Sequence, residues 1–362
     1  MGGPRALENG AVIVSLVTVT YRSANVLAQC LASFRREASA AGVTGEVVAI
    51  DHSEDDTETA ALRTMPIETL LTAPNRGYAA GINLGVAAAS GDVIVIANPD
   101  IEFLPGSLAA LLDGLRAGFT VVGPKLVWDL EARVFLPVPE DPSPRAELRR
   151  LRRLRSQQVW ERWMVEEVTR MWRLWTADAC IGVPMLRGPA LAIRSTDFLR
   201  LGPWDEGYFL YYEETDWLWR ARRRGARLGL AANGTVCHHW GQAAQHLDNR
   251  AEIEEASRRR FVSRNYGPAS RFLFLRARAQ ICDAGVDAVR ISGPEHLPLG
   301  DAPFWLLSPY KHLVPAAGWM NGSTVPTVIV ERARGQAWWA AAFDGGPGQW
   351  RLAGAWTWED EV

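Results

Sequence analysis

Apolar, β-branched runs alternate with segments of helical periodicity over the first 125 residues, and this alternation restricts the fold more than any other feature of the chain. Residues 11–21 (AVIVSLVTVTY) are apolar on both faces, as a buried parallel strand is. Further strands are predicted at 45–50, 67–71 and 92–96, and helices at 26–41, 58–63, 77–90 and 104–117. Strands that alternate with helices predict a doubly wound, mostly parallel α/β sheet with helices on both faces.

Polar clusters follow three of these strands, namely Thr20-Tyr21-Arg22, Asp51-His52-Ser53 and Asn98-Pro99-Asp100. Ligands of such sheets bind outside the carboxyl ends of the strands, so a site is expected there. Asp100 suits a divalent cation that bridges two phosphates, and Asp51 suits a nucleotide base or ribose. The same residue types also form ordinary turns and solvated acidic loops.

Glycines recur at Gly77, Gly81 and Gly85, at the start of a predicted helix made of small residues. They leave room for close backbone approach at a helix N-terminus, which is a natural anion site. Tight packing of the helix on the sheet uses the same glycines, so both interpretations stay open.

Three carboxylates, Glu213, Glu214 and Asp216, lie within four residues just before a predicted helix. Mutual repulsion raises at least one pKa in such a cluster and favours base chemistry, although acids also cap helices. Downstream, His238 in the run Cys237-His238-His239-Trp240-Gly241-Gln242 is a candidate metal ligand or a structural histidine.

A proline-rich break at 137–144 precedes residues 145–175, which are predicted as one long helix with nine Arg and four Glu. Its leucines, tryptophans and methionines recur at helical intervals. Such a helix can lie on anionic lipid or hold an anionic or lipid-linked acceptor, or it can dock on its own domain with solvated arginines.

The rest of the chain contains weaker signals. Strands are predicted at 188–193, 228–231 and 235–238, and helices are predicted at 194–201, 217–225 and 258–279. Beyond residue 285 the sequence is rich in Trp, Gly and Pro, with strands predicted at 324–332 and 338–343. This texture predicts a small β-rich C-terminal appendix.

Composition excludes several classes of protein. The net charge is −2, which argues against a globally basic nucleic-acid binder. None of the four cysteines lies in a CxxC pair, so neither a zinc ribbon nor a disulfide framework is indicated, and reduced thiols in the cytoplasm are expected. The start of the chain lacks a signal pattern and no apolar run reaches 18 residues, so membrane contact is expected only from the surface.

The order and spacing of these motifs resemble the inverting glycosyltransferases of family 2, especially the bacterial rhamnosyltransferase-like branch with the GT-A fold. The resemblance covers about residues 11–245 without the Arg-rich segment. The stretches that carry it are VSLVTVTYRSANVLAQCLASF, VVAIDHSEDDT, PNRGYAAGINLGVAAASGDVIVIANPDI, GPALAIRSTDFLRLGPWDEGYFLYYEETDWLWRARRRGARLGL and VCHHWGQA.

The resemblance implies roles for individual residues. Asp51 matches the acid that binds the nucleobase, and Asp100 matches the metal ligand of the DxD-type motif, whose first acid is replaced by Asn98. Glu214 matches the general base, where Asp is usual, with Glu213 and Asp216 as neighbouring candidates. His238 matches a late histidine that contacts metal or diphosphate, and His52 replaces a usual Asn. The implied donor-binding residues are Thr20, Tyr21, Arg22, Asp51, Asn75, Gly77, Gly81, Asn83 and Asn98.

The implied activity is the inverting, metal-dependent transfer of a hexose such as rhamnose from a dTDP- or UDP-sugar to a hydroxyl, with Mg²⁺ or Mn²⁺ as cofactor. The acceptor would be a glycan, a lipid-linked sugar or a natural product. A nucleotidyltransferase of similar fold remains an alternative, although such enzymes usually carry a Gly-rich basic loop after the first strand. The second alternative is a non-catalytic sugar-binding protein, and the carboxylates Asp100 and Glu214 argue against it.

The same resemblance suggests four segments. Residues 1–136 would form the nucleotide-sugar-binding half and 179–284 the acceptor-side half with the catalytic acids. Residues 137–178 would be a basic helical insertion and 285–362 a β-rich appendix, and neither has a counterpart in the family pattern.

Overall fold

The computed structural model describes residues 12–137, 140–239, 249–278, 284–298, 302–320, 324–333 and 335–359. The chain divides into two compact units. The first unit comprises Met1–Lys125 and Asp178–Asn265, and the second comprises Leu126–Ala177 and Tyr266–Val362. Sequence segments far apart in the chain therefore share a unit.

The helices and strands follow one another in this order. The N-terminal half contains β1 (Ile13–Thr20), α1 (Ala24–Ala40), β2 (Thr44–Asp51), α2 (Asp56–Arg63), β3 (Thr69–Thr72), α3 (Tyr78–Ala88), β4 (Val93–Ala97), β5 (Ile101–Phe103), α4 (Ser107–Arg116), β6 (Val121–Val127), β7 (Val134–Phe135), α5 (Pro144–Arg153) and α6 (Gln157–Trp175). The C-terminal half contains β8 (Ile181–Gly182), β9 (Ala190–Arg194), α7 (Ser195–Leu201), α8 (Glu213–Arg223), β10 (Leu228–His238), α9 (Arg250–Asn265), α10 (Pro268–Arg278), β11 (Val289–Arg290), β12 (Phe304–Ser308), β13 (Ala317–Met320), α11 (Thr327–Arg332), β14 (Trp338–Asp344) and β15 (Arg351–Trp358).

The first unit is built on a sheet of strand order β6-β9-β4-β1-β2-β3. Strands β3, β2, β1 and β4 are parallel, while β9 runs antiparallel to both β4 and β6. The central strand β1 is buried from Val14 to Thr20, which explains its apolar character on both faces. The predicted GT-A-type α/β sheet with helices on both faces is confirmed.

Helices cover the two faces of this sheet with separate apolar layers. On one face, α3 and α8 pack through Ile82 and Trp217 into a core with Val17 and Ile96. On the other, α1 lies against β5, where the rings of Phe34 and Phe103 are 5.9 Å apart. Helix α3 packs so closely on β1 that a Cβ added at Gly85 would lie 2.5 Å from a Val17 methyl.

The second unit contains a sheet of order β11-β15-β14-β12-β13-β7, antiparallel except between β11 and β15. Helix α6 belongs to the same unit. Its Trp175 stacks on Phe135 and Phe304, at 5.2 and 5.4 Å between ring centroids, and its Trp160 donates an indole N–H to the His312 carbonyl at 3.0 Å. The C-terminal β-rich region is thus confirmed, and α6 is part of its core.

Five predicted elements differ from the structure in type or continuity. Residues 145–175 form two helices, because Ser156 takes an extended conformation (φ −153°, ψ 134°) typical of a helix N-cap. Residues 324–332 contain the helix α11 instead of a strand. Pro326 begins this helix with its restricted φ, and Val328 and Ile329 are buried, so tertiary burial overrides β propensity.

The other two differences concern continuity. The strands predicted at 228–231 and 235–238 form the single strand β10, since the exposed Asn233 stays in the strand and donates to the Asp178 carbonyl at 3.2 Å. The helix predicted at 258–279 is divided into α9 and α10 at Gly267-Pro268, because proline cannot continue a helix hydrogen-bond ladder.

Candidate active site

Asn98 connects three elements at the carboxyl end of β4. Its backbone N–H donates to the Pro189 carbonyl at 3.0 Å, just before β9. Its side-chain Oδ1 accepts the Tyr78 hydroxyl from the start of α3 at 2.8 Å. The structure thus uses Asn98, a predicted donor contact, to hold the neighbouring Asp100 and the start of α3 in place.

Asp100 and His238 meet because β5 pairs antiparallel with β10, which places His238 opposite Ile101. Asp100 Oδ1 lies 3.4 Å from His238 Nε2, and the two side chains are only 2% and 12% exposed. The Asp100 carbonyl accepts the His239 backbone N–H at 3.0 Å, which fixes the register at this point. The carboxylate and the imidazole therefore converge on one spot.

The neighbouring residues Glu102 of β5 and His239, which follows β10, also support the pairing of these two strands. His239 Nε2 lies 2.7 Å from Glu102 Oε1, so the end of β10 is bound to β5 through side chains as well as backbone. Trp240, Gly241 and Gln242, which complete the predicted motif, lie outside the described residues.

A divalent cation fits the Asp100–His238 pair. Among the residues that the structure describes, no group of three His, Cys, Asp or Glu side chains could hold a metal ion. Mg²⁺ in nucleotide sites is commonly held by one or two protein ligands together with substrate phosphates and water. One carboxylate oxygen and one imidazole nitrogen meet that requirement, and both also suit Mn²⁺.

The three acids at the start of α8 have different surroundings. Asp216 is 1% exposed and receives Arg220 Nε at 2.7 Å, Asn265 Nδ2 at 2.9 Å and the Tyr208 hydroxyl at 3.3 Å. Asp216, a predicted catalytic candidate, therefore anchors α8 in this structure.

Glu214 faces a different part of the first unit. Its Oε1 accepts the Thr215 hydroxyl at 3.2 Å, and a Cβ at Gly188 would lie only 3.0 Å from its Cγ. Burial raises the pKa of Glu214, while hydrogen bonds and the charge of Arg187 act in the opposite direction. A carboxylate with a raised pKa is a stronger base than an exposed one.

Glu213 is more deeply buried, at 5% exposure, and Oε2 has no hydrogen-bond partner among the described residues. Burial and the adjacent Glu214 charge raise the pKa of Glu213 well above its usual value. Glu213 therefore keeps its proton when Glu214 ionises.

Tyr78 is affected by acids from two parts of the chain. Its pKa is raised well above the usual value, first by burial and then by the charges of Glu213, Glu214 and Asp100. The acids of α8 and the Asp100 carboxylate thus act on the same hydroxyl, although they are more than 100 residues apart in sequence.

Four further predicted donor contacts lie at the ends of β1 and β2; they are Thr20, Tyr21, Arg22 and Asp51. Thr20 is buried and donates to the Ile50 carbonyl at 3.3 Å, while Arg22 takes a left-handed conformation and lies over the Tyr21 ring at 5.8 Å. Asp51 is 2% exposed, and its two oxygens accept Ser53 N at 2.8 Å and the Thr59 hydroxyl at 2.5 Å.

His52, the departure from the family pattern, is also buried. It is 3% exposed, and burial lowers its pKa, so the imidazole is neutral near pH 7. A Cβ at Gly81 would lie 2.9 Å from His52 Cε1, so the ring packs against α3.

The start of α3 is occupied by protein groups. Gly77 N donates to Asn75 Oδ1 at 3.1 Å, and Tyr78 N donates to the Phe209 carbonyl at 2.8 Å. Gly77 has a φ of +98°, and a Cβ there would lie 2.5 Å from the Phe209 oxygen. The structure thus favours the packing interpretation of these glycines over an anion site.

Asn83 holds the loop that leads to the acids. Its side chain accepts from Trp204 N at 2.9 Å and donates to the Trp204 carbonyl at 3.0 Å and to Glu206 Oε1 at 3.1 Å. Asn75, Gly77 and Asn83 therefore position the segment before α8, and a direct donor contact would require Asn83 to leave these partners.

Sequence reasoning missed three residues of the site: Tyr78, Arg187 and Gly188. Tyr78 follows Gly77 in a motif that was singled out for its glycines, so its hydroxyl was overlooked. Arg187 precedes a predicted strand and Gly188 is its first residue, and only their relation to Glu214 in the folded chain gives them significance.

Comparisons with known proteins show which families this chain resembles. A family model described as Glycosyl transferase family 2 matches residues 15–172. The chain is 29% identical over 243 residues to an N-acetylglucosaminyl-diphospho-decaprenol L-rhamnosyltransferase of Mycobacterium tuberculosis, with 63% of this chain and 76% of that protein covered. It is 21% identical over 196 residues to the low-salt glycan biosynthesis hexosyltransferase Agl10 of Haloferax volcanii, with 53% of this chain and 58% of that protein covered.

Two solved structures are similar at a lower level. The mannosyltransferase PcManGT from Pyrobaculum calidifontis in complex with GDP-Man and Mn²⁺ is 18% identical, with a TM-score of 0.45, 74% of this chain and 69% of that chain covered. GalNAc-T7 with UDP, GalNAc and Mn²⁺ is 14% identical, with a TM-score of 0.44, 83% of this chain and 61% of that chain covered. Over residues 15–172 and over the aligned parts of these relatives, this chain is similar to glycosyltransferases of family 2, which supports an enzyme that transfers a sugar from a nucleotide sugar.

Proposed function

We propose that this glycosyltransferase inverts the anomeric carbon in one in-line displacement and depends on Mg²⁺ or Mn²⁺. The observations that carry the proposal are the Asp100–His238 pair and the partly buried Glu214; the charges of Asp100 and Glu214 both raise the pKa of the Tyr78 hydroxyl. A cation-binding pair and a base are what a single displacement requires. The similarity to glycosyltransferase family 2 favours this activity over nucleotidyl transfer and over non-catalytic sugar binding.

In the proposed mechanism, Glu214 accepts the proton of the acceptor hydroxyl as the acceptor oxygen bonds to the anomeric carbon. The bond from that carbon to the diphosphate oxygen breaks, and its electron pair leaves with the nucleoside diphosphate. Asp100 and His238 would hold the cation, which when bound would supply positive charge for the leaving diphosphate. Glu213 stays protonated, so a single negative charge faces the acceptor.

For the substrates, we propose a dTDP- or UDP-linked hexose, with rhamnose as the first sugar to test. The support is the activity named for the Mycobacterium tuberculosis relative, which also names a lipid-linked acceptor. Asp51 at the end of β2 would contact the nucleobase, with Thr20, Tyr21 and Arg22 nearby at the end of the adjacent strand β1.

For the location, we propose the cytoplasmic side of a membrane surface. The support is the lipid-linked acceptor named for the Mycobacterium tuberculosis relative. Among the described residues, no helix is long and apolar enough to cross a membrane.

The test is a donor panel followed by product stereochemistry. dTDP-rhamnose, UDP-glucose and GDP-mannose are compared by thermal shift with Mn²⁺, with Mg²⁺ and with chelator, because a bound donor raises the unfolding temperature. The preferred donor is then used with a soluble acceptor, and the anomeric configuration is determined by NMR. Retention of configuration, or equal turnover with chelator, would overturn the proposed mechanism.

A further inference from the structure

Helix α10 of the second unit presents an apolar face to solvent. Phe272 and Leu273 are 62% and 48% exposed, while Phe274 on the opposite side is 6% exposed and lies against Tyr266. Pro268 and Ala269 are exposed one turn earlier on the same side of the helix. Single apolar residues on a surface are ordinary. Phe272 and Leu273 are large and adjacent, however, and together with the small apolar Pro268 and Ala269 they form a patch that needs a partner.

Helix α5 packs against α10 in this unit and carries a row of exposed arginines. Arg145, Arg149 and Arg152 are spaced four and three residues apart, so they lie along one side of the helix. Within the described part of the chain, no carboxylate pairs with these three. Arg150 and Arg153, by contrast, form ion pairs with Glu147 and Glu166 at 3.0 Å.

The apolar stripe that the sequence predicted for lipid contact is not available for it. Seven of its nine side chains are 1% to 4% exposed and lie in the core of the second unit; they are Leu151, Leu154, Trp160, Trp163, Met164, Met171 and Trp175. The other two, Leu148 and Trp172, are partly buried. The apolar part of any lipid-binding face therefore comes from α10, and only the charge comes from α5.

We propose that the exposed residues of α5 and α10 bind the surface of an anionic lipid bilayer. Phe272 and Leu273 would enter the boundary between headgroups and acyl chains, and Arg145, Arg149 and Arg152 would contact lipid phosphates. Charge complementarity selects an anionic partner, and the exposed apolar pair on the neighbouring helix distinguishes a bilayer from a nucleic acid, which arginines alone would bind. The proposal does not depend on the identity of donor or acceptor.

The test is flotation of the full-length protein with vesicles of phosphatidylcholine alone or mixed with phosphatidylglycerol. The wild type is expected to float with the anionic vesicles only, and less so at high salt. Two variants, Arg145→Gln/Arg149→Gln/Arg152→Gln and Phe272→Ser/Leu273→Ser, should each weaken binding about tenfold or more. Arg63→Gln/Arg223→Gln/Arg351→Gln removes the same charge from exposed positions on other elements and should bind as the wild type does.

Each variant is checked by its thermal unfolding and by transfer to a soluble acceptor, both of which should match the wild type. Vesicle binding can therefore fail while sugar transfer persists, which separates this proposal from the proposed function. No flotation of the wild type, equal losses in the charge-matched control, or binding to an RNA that is insensitive to Phe272→Ser/Leu273→Ser would overturn it.

Discussion

At the residue scale, burial and partners separate three neighbouring acids that the sequence presents as equivalent. Asp216 is almost fully buried and is bound by Arg220, Asn265 and Tyr208. Glu213 is buried and keeps its proton, while Glu214 has a moderately raised pKa beside Gly188. Only Glu214 combines a raised pKa with a position at the proposed acceptor side.

We expect Glu214→Gln to lower the transfer rate by roughly two to four orders of magnitude, the usual contribution of a general base. Donor binding measured by thermal shift should persist, because Glu214 would face the acceptor. Glu214→Asp, the residue usual in the family, should restore part of the rate. Asp216→Asn should lower the unfolding temperature by weakening the bond to Arg220, with a smaller effect on rate. If Asp216→Asn lowers the rate more than Glu214→Gln does, Asp216 is the base.

The pH dependence of kcat/KM should report Glu214 directly. Because burial raises its pKa above 4.5, the acid limb should lie above pH 4.5, with kcat/KM rising with pH and then levelling once the carboxylate is ionised. Arg187→Gln removes a charge that lowers this pKa, so the limb should move to higher pH. A limb that stays in place in the variant would show that Arg187 does not act on the base.

Asp100→Asn should test the cation-binding pair. The amide cannot supply the negative charge of the carboxylate, so the Mn²⁺ concentration needed for half-maximal rate should rise at least about tenfold. The fold should be kept, since the backbone bond from His239 N to the Asp100 carbonyl does not involve the side chain. Titration of the wild type and the variant with Mn²⁺ measures the effect, and identical titrations would remove Asp100 from the metal site.

At the element scale, short loops between regular elements determine where the reacting groups lie. The segment between β8 and β9 carries Gly188 against Glu214, and the segment before α8 is held by Gly77 and Asn83. Neither loop is recognisable as functional from its local pattern, because its role depends on which element it contacts.

Gly188→Ala should lower kcat more than it affects donor binding. The added Cβ would lie 3.0 Å from Glu214 Cγ, so the side chain of the proposed base must move. Misplacement by a fraction of an ångström suffices to reduce proton transfer. Gly182→Ala is the matched control, since its Cβ would meet only Phe119 at an ordinary 3.7 Å. Equal kcat in both variants would argue against close contact between Gly188 and the base.

At the scale of the whole molecule, stability should decrease with rising pH through Glu213. Its pKa in the folded state is raised above 4.5, so the folded protein keeps a proton that the unfolded chain has lost. The contribution to the free energy of unfolding is largest below pH 4.5 and falls by about 1.4 kcal/mol per pH unit up to the raised pKa.

Glu213→Gln should therefore gain stability relative to the wild type as the pH increases from about 5 to 8. Chemical denaturation followed by circular dichroism at both ends of this range measures the difference. Glu252→Gln, at an exposed position of α9, should show the pH dependence of the wild type. A constant difference between Glu213→Gln and the wild type would contradict a protonated Glu213.

Much of the first unit could be predicted because its signals are local. The runs 11–21, 45–50 and 92–96 are apolar on both faces and became the buried parallel strands β1, β2 and β4. Their terminal polar clusters were correctly placed at one edge of the sheet, since parallel strands end on the same side. Strand and helix periodicity depends on neighbours within a few residues, and such information is present in the sequence itself.

The tertiary structure decided what local pattern could not. Asp216 became an anchor because Asn265, 49 residues away, reaches it, and Asn83 became a loop support because Trp204 lies beside it. The Trp-rich stripe of 145–175 turned inward, whereas Phe272 and Leu273 turned outward. The sequence thus determined the sheet and the identity of the candidate acids and metal ligands. Only the fold assigned their roles, because burial, pKa and hydrogen-bond partners depend on residues distant in the chain.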